Sequence, residues 1–176
     1  MQTDVKVLLT KFMLLEFSKW FSEFKPIESN DLSILKALKL IFFACSITSS
    51  KDNSLLKNGF NFVAMPLGHV ETDIYDAYKG KQFGGVIDVT GVSNIDLLHT
   101  DFGSLSDALK AAAISAILAL KAENKKLILE SPSNLVELSH KYSSWINNFR
   151  KAKNIGQLSW PIPSNEIIDE EKYYFV

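Results

Sequence analysis

Along the start of the chain, Val5, Leu9, Phe12, Phe17, Trp20 and Phe24 recur at helical spacing, and Met13, Leu14 and Leu15 widen the apolar face. The pattern predicts a helix over residues 4–25, stopped by Pro26, which lacks an N–H and restricts its predecessor. A second helix is predicted from a cap at Asn30 or Asp31 through Ser46. Ile34, Leu38, Ile41, Phe42 and Cys45 line its apolar side, with Lys36 and Lys39 on the wetter one. Residues 48–53 are polar and read as a surface loop, after which Leu55 and Leu56 return to the core. Further on, Leu109, Ala112, Ala113, Ala116, Ile117 and Leu120 predict a helix beginning near Ser104, with small side chains suited to a crowded bundle interior. Leu135, Leu138, Tyr142, Trp145, Ile146 and Phe149 predict another from Leu135 to Ala152, capped by Ser133 or Asn134 behind Pro132.

Between these helices lies an elbow, Met65-Pro66-Leu67-Gly68-His69, joining an apolar segment to a short acidic helix. Pro66 fixes its own φ and disfavours helix at Met65, and Gly68 can take angles closed to other residues. Glu71 and Asp73 fall in the first turn of the acidic helix, where negative charge meets the positive end of the dipole, and Gly80 caps its end. The run Val86-Ile87-Asp88-Val89-Thr90 has β preference, and residues 92–104 have no clean period, so an irregular excursion or short strand is expected there. Trp160-Pro161-Ile162-Pro163 is too proline-rich for a central strand, while Ile167, Ile168, Tyr173, Tyr174 and Phe175 can tack the tail onto the domain. The fold expected is mainly α: one compact helical bundle over residues 1–176, with at most a short β excursion around residues 84–100.

Composition narrows the function. Hydrophobic residues make up 47% of the 176, enough for a core and inconsistent with global disorder. The formal net charge is -1 and Arg150 is the sole arginine, which argues against direct reading of nucleic acid. Cys45 stands alone in an apolar run, so no intrachain disulfide forms and a core role outweighs a nucleophilic one. A signal-peptide pattern is missing and the run 111–120 is too short and alanine-rich to span a bilayer; a cytoplasmic protein without membrane association is expected.

Candidate chemistry is sparse. His69, His99 and His140 are far apart, with no HExxH or CxxC pair, so no metal site and no cofactor are expected. Glu71, Asp73, Asp76 and Asp88 invite an acid/base reading, but Glu71 and Asp73, two apart on a helix, point to different sides. Capping and solvation explain them better, with an acidic rim for a basic partner as the functional alternative. The segment Gly80-Lys81-Gln82-Phe83-Gly84-Gly85 follows neither phosphate-loop order and reads as a turn, and no GxSxG elbow occurs. His140, with Trp145 five residues on, fits a neutral imidazole shielded by the indole.

Two separated motifs resemble one family. Ala64, Gly68, His69, Val70 and Tyr75, within Phe62–Tyr75, resemble the Ala-x-x-x-Gly-Pro-Val-x-x-x-x-Tyr signature of the Panacea, or SocA-like antitoxin, domain. Leu138-Ser139-His140 followed by Trp145 is similar to its second signature, and Lys39-Leu40-Ile41-Phe42-Phe43-Ala44 to the lysine-leucine and aromatic helix that precedes the first. The ordered set covers residues 30–150. One departure is His69, which stands where many members have proline and adds either a looser elbow or an extra polar contact. The resemblance implies a mostly helical, non-enzymatic domain that binds and neutralises a cognate protein toxin encoded by an adjacent gene. Such domains occur beside toxins of unrelated kinds, so the resemblance identifies neither the toxin nor an oligomeric state. The alternative from another class is an enzyme acting on a small ligand through a distributed site of Asp73, His69 or His140.

Overall fold

The computed structural model describes residues 1–176. Helix α1 (Thr3–Ser22) buries Leu9, Met13, Leu14, Phe17, Trp20 and Phe21, so its broad apolar face is core. Helix α2 (Ile34–Ile47) starts at Ser33, whose hydroxyl accepts from the Lys36 N–H; the cap is therefore neither Asn30 nor Asp31. Phe42, Phe43 and Cys45 on α2 are fully buried, as expected of them. Lys36 and Lys39 correct the sequence reading, because both are buried too: Lys36 pairs with Asp31 at 2.6 Å, and Lys39 is occupied as described below.

The elbow is a β-hairpin. Strands β1 (Phe62–Met65) and β2 (Gly68–Glu71) pair antiparallel, with Ala64 opposite His69 and Met65 opposite Gly68 across the two-residue connection Pro66-Leu67. Gly68 has φ +91°, one of the angles closed to other residues that glycine can take there. Helix α3 (Thr72–Lys79) follows at once, then a loop in which Ile87 and Val92 form an isolated bridge, and helix α4 (Asn94–Leu98). The fold is thus mainly helical with little β, but only that one bridge falls in residues 84–100 and the sheet itself lies elsewhere. Residues 94–98 form a turn of helix rather than a strand, because Ser93 caps them through the Asp96 N–H.

Helix α5 (Asp107–Glu123) is capped by Ser106 and buries Ala112, Ala113, Ala116, Ile117 and Leu120 against α1 and α2. The single helix expected from Leu135 to Ala152 is two. Helix α6 (Pro132–Ser139) has its cap at Ser131, not Ser133 or Asn134, and α7 (Ser143–Asn154) begins after a break at His140-Lys141-Tyr142. Tertiary structure makes that break: the Tyr142 ring is fully buried, and its hydroxyl donates to the Tyr173 carbonyl at 2.7 Å. Strand β3 (Trp160–Ile162) joins the outer side of β1, giving the order β2-β1-β3, so the proline-rich segment is an edge strand. Helix α8 (Ser164–Asp169) is the last helix, and Ile167 and Tyr174 pin the tail to a single connected core of 43 buried apolar residues. No helix is long and apolar enough to cross a membrane.

Candidate functional site

The two sequence motifs meet at the hairpin. β2 is an edge strand, and the backbone groups of an edge need partners from elsewhere. Here side chains supply them. The His69 N–H donates to Ser139 Oγ on α6 at 3.1 Å, and Lys39 Nζ on α2 donates to the His69 carbonyl at 2.6 Å. Gly68 is required at this approach, since a Cβ there would lie 2.4 Å from Ser139 Oγ and 3.2 Å from Lys39 Cε. On the other side of the tip, Trp145 Nε1 on α7 donates to the Met65 carbonyl at 2.8 Å. The Leu-Ser-His and tryptophan residues therefore hold the Gly68 turn from both flanks.

His69 itself is fully buried, stacked on Phe42 with ring centroids 3.5 Å apart. Its Nδ1 lies 2.8 Å from Ser139 Oγ and its Nε2 lies 2.9 Å from Ser144 Oγ. Ser144 Oγ donates in turn to Glu170 Oε1 at 2.8 Å, so it must accept from His69 Nε2–H. That assigns the neutral Nε2–H tautomer, with Ser139 donating to Nδ1 while accepting the backbone N–H of the same residue. Burial and the nearby Lys39 charge hold the His69 pKa well below its usual value, which keeps the ring neutral. Glu170 is shifted upward by burial, opposed by its bonds to Ser144 and Ser143. Of the two outcomes expected from histidine at this position, the structure shows the extra polar contact.

Lys39 is the odd group in this cluster. It is fully buried without a carboxylate partner, and burial alone brings its pKa down from 10.5 to about 7. Its ammonium has one bond, to the His69 carbonyl, so neutral and charged forms coexist near neutrality.

A second polar cluster anchors the far end of the hairpin. Glu71 is fully buried and caps α3 by accepting from the Ile74 N–H at 2.9 Å, while its other oxygen accepts from the Asn61 N–H at 3.1 Å and from Lys6 Nζ at 2.6 Å. Lys6 also bridges to Asp73, whose side chain is half exposed. Burial would lower the Lys6 pKa, but its bonds to Asp73 and Glu71 outweigh it and raise the value. Glu71 and Asp73 therefore do not diverge as expected: Glu71 is the cap, not an in-helix residue, and both carboxylates converge on one lysine. Glu71 is also excluded from any acidic rim, leaving Asp73, Asp76 and Asp88 as the exposed members.

His140 sits at the C-terminal cap of α6 with its ring stacked on Trp145, centroids 3.8 Å apart, as the shielding argument anticipated. Burial, then the Lys39 charge, lowers its pKa, and its Nε2 is buried without a hydrogen-bond partner. No ion pair or hydrogen bond joins His140 to Asp73 or Glu71, and no three His, Cys, Asp or Glu side chains converge as a metal cluster would need. Ala64 and Val70 are buried, Ala64 opposite His69 in the pairing. Tyr75 is half-buried under Lys79, whose Nζ lies 4.7 Å from the ring centroid.

Tyr75 and Val70 also line an apolar groove of about 340 Å³ between the hairpin tip and α2, bounded by Ile34, Leu35, Leu38, Met65, Pro66 and Leu67. Leu67 at the tip is 52% exposed. Sequence reasoning identified the hairpin residues but missed Ser144, Glu170 and Lys6. Nothing local marks them, since each acts on a partner at least 26 residues away. No family model, no curated protein and no solved structure matches this chain.

Proposed function

We propose that the chain is a non-enzymatic antitoxin of the Panacea type it resembles, a cytoplasmic domain that binds and neutralises a protein toxin encoded by an adjacent gene. One observation carries the reading: the hairpin held by both signature segments presents an apolar groove, with Leu67 and Tyr75 at its opening. Its volume of about 340 Å³ suits one or two apolar side chains of a partner, the kind of anchor on which protein interfaces concentrate their energy. His69, Ser139 and Trp145 serve the tip by fixing it, and Asp73 and Asp76 are exposed carboxylates on α3, the helix that carries Tyr75. His69 is sealed from solvent, so its serine contacts support rigidity rather than chemistry on a ligand.

Co-expression and pull-down with the products of the neighbouring genes, paired with rescue of growth from the toxic one, tests the assignment. The expected result is capture and rescue by the wild-type chain, with Leu67→Asp weakening affinity at least tenfold, about 1.4 kcal/mol, at an unchanged melting temperature. Failure of both capture and rescue with every immediate neighbour sinks the antitoxin reading. Full affinity in a folded Leu67→Asp protein moves the contact surface away from the groove.

A further inference from the structure

The tail that follows α8 reaches the hairpin from the opposite end of the chain. Residues 170–176 form no helix or strand, and of them only Tyr174 is buried. Glu170 turns its carboxylate onto the first turn of α7, where one oxygen accepts from the Ser144 N–H at 2.7 Å and the other from Ser144 Oγ at 2.8 Å. Ser143 Oγ adds a longer bond of 3.3 Å. A second contact runs beside this one. The Tyr142 hydroxyl donates to the Tyr173 carbonyl at 2.7 Å and accepts from the Tyr173 N–H at 3.1 Å. The Tyr142 ring stands edge-on to both His69 and Tyr173, with centroids 5.7 and 5.6 Å away. Both routes end on His69.

Glu170 does more than cap α7. Capping needs one acceptor, and the oxygen facing the Ser144 N–H supplies it. The other oxygen sets the direction of a chain of bonds. Because a carboxylate only accepts, Ser144 Oγ donates to it and is left to accept from His69 Nε2–H. Nδ1 then accepts from Ser139 Oγ, the same hydroxyl that holds the His69 N–H on the edge of β2. The seat of the tail is also strained in its polar groups. Burial penalises the charge on Glu170, and the Tyr174 hydroxyl is buried without a partner in hydrogen-bond geometry. A segment without regular structure, seated on such terms, opens more readily than the helices around it.

We infer that the tail is a latch on the hairpin and that Glu170 is its positioning residue. Seated, the tail fixes the His69 tautomer and, through Ser139, the edge of β2 next to the tip; lifted, it frees them. The consequence for binding rests on the groove reading proposed above, since a tip left unfixed must be ordered again by whatever docks beside it.

Nitrogen NMR and amide exchange on the free full chain test the latch without any partner, so the result stands apart from that of the capture assay. The wild-type His69 ring is expected as the Nε2–H tautomer. Glu170→Gln keeps the shape and the cap but puts an amide N–H where the second carboxylate oxygen stood. Ser144 Oγ then accepts from that amide and donates to Nε2, so His69 is expected to switch to the Nδ1–H tautomer, its two ring-nitrogen shifts exchanging. Ser139, on a helix, can turn its own proton to a carbonyl of the preceding turn. A purely structural role for Glu170 would not move this signal. Tyr174→Glu lifts the tail by putting a charge where Tyr174 packs edge-on to Phe43. Amide exchange at His69 and Val70 should quicken about tenfold with that of α1 and α5 unchanged. An Nε2–H tautomer retained in folded Glu170→Gln overturns the relay. Exchange that quickens equally in α1 and α5, or nowhere, overturns the latch.

Discussion

Replacing Gly68 with alanine probes the hairpin at the point where both motifs converge. The added methyl meets two separate obstacles. Residue 68 has φ +91°, where an L side chain costs about 1–3 kcal/mol. The new Cβ would lie 2.4 Å from Ser139 Oγ and 3.0 Å from Ser139 Cβ, so Ser139 must rotate or the strand must move. If Ser139 rotates, the buried His69 N–H and Nδ1 lose their partner, at about 1–3 kcal/mol for an unsatisfied buried group. If the strand moves, the 2.6 Å bond from Lys39 to the His69 carbonyl lengthens instead. Either route predicts a loss of roughly 3–5 kcal/mol, a large share of the 5–15 kcal/mol typical of a folded domain. Urea denaturation followed by circular dichroism measures it. The double variant Gly68→Ala/Ser139→Gly should be less destabilised than the sum of its parts by about 1–2 kcal/mol, because the second change removes the obstacle created by the first. A loss below about 1 kcal/mol for Gly68→Ala, or strict additivity in the double variant, refutes the contact and the role assigned to Ser139.

Other perturbations separate the two polar clusters. Lys39 has a folded pKa of about 7 against 10.5 unfolded, so the unfolded chain binds the extra proton between those values and stability climbs as pH rises from 7 toward 10.5. Lys39→Met should flatten that rise by up to about 1.4 kcal/mol per pH unit in paired urea melts, and an unchanged slope would assign the charge to a solvated site. At the other cluster, Glu71→Gln should cost about 3 kcal/mol by stripping the buried Lys6 of its enclosed partner, whereas Asp73→Asn, half exposed, should cost under about 1 kcal/mol. Equal losses in denaturation would mean that Glu71 is no more enclosed than Asp73. Asp76→Lys is accordingly the fair test of the acidic rim in a binding assay, whereas Glu71→Lys and Asp73→Lys are not, because each puts a second cation against Lys6.

What could be read from the chain beforehand follows from how local its cause is. The periodicity of Val5 to Trp20 and of Leu109 to Leu120 reports burial on a helix face, and those helices form where the pattern sets them. The Pro66–Gly68 turn was equally legible, since the constraint on φ belongs to the residues themselves. The strands were not: Phe62–Met65 and Trp160–Ile162 are too short to show a period of two, and they pair across nearly a hundred residues. Lys36 and Lys39 misled for a related reason. A lysine at a helical position reads as solvated, and only the return of Asp31 beneath one and of the His69 carbonyl onto the other makes burial tolerable. The break at His140–Tyr142 has no proline or glycine to announce it; the tail that bonds the Tyr142 hydroxyl makes the break.

Polar groups at this density inside a small domain call for a physical reason, because well-packed apolar residues of similar volume would often stabilise it as well or better. Around the hairpin, Lys6, Lys39, His69, Glu71, Ser139 and Ser144 are all buried, and each has a partner with a fixed direction. Apolar contacts are tolerant of a small slide between strand and helix; a carbonyl held by an ammonium on one side and an N–H held by a hydroxyl on the other are not. The network therefore converts folding energy into position, and the element it positions is the tip carrying Met65, Pro66 and Leu67 beside the groove. For the docking role proposed above, that exchange is favourable. The ordering cost and the desolvation of Lys39 are met once, in folding, and under that proposal a partner would meet a tip already fixed in place.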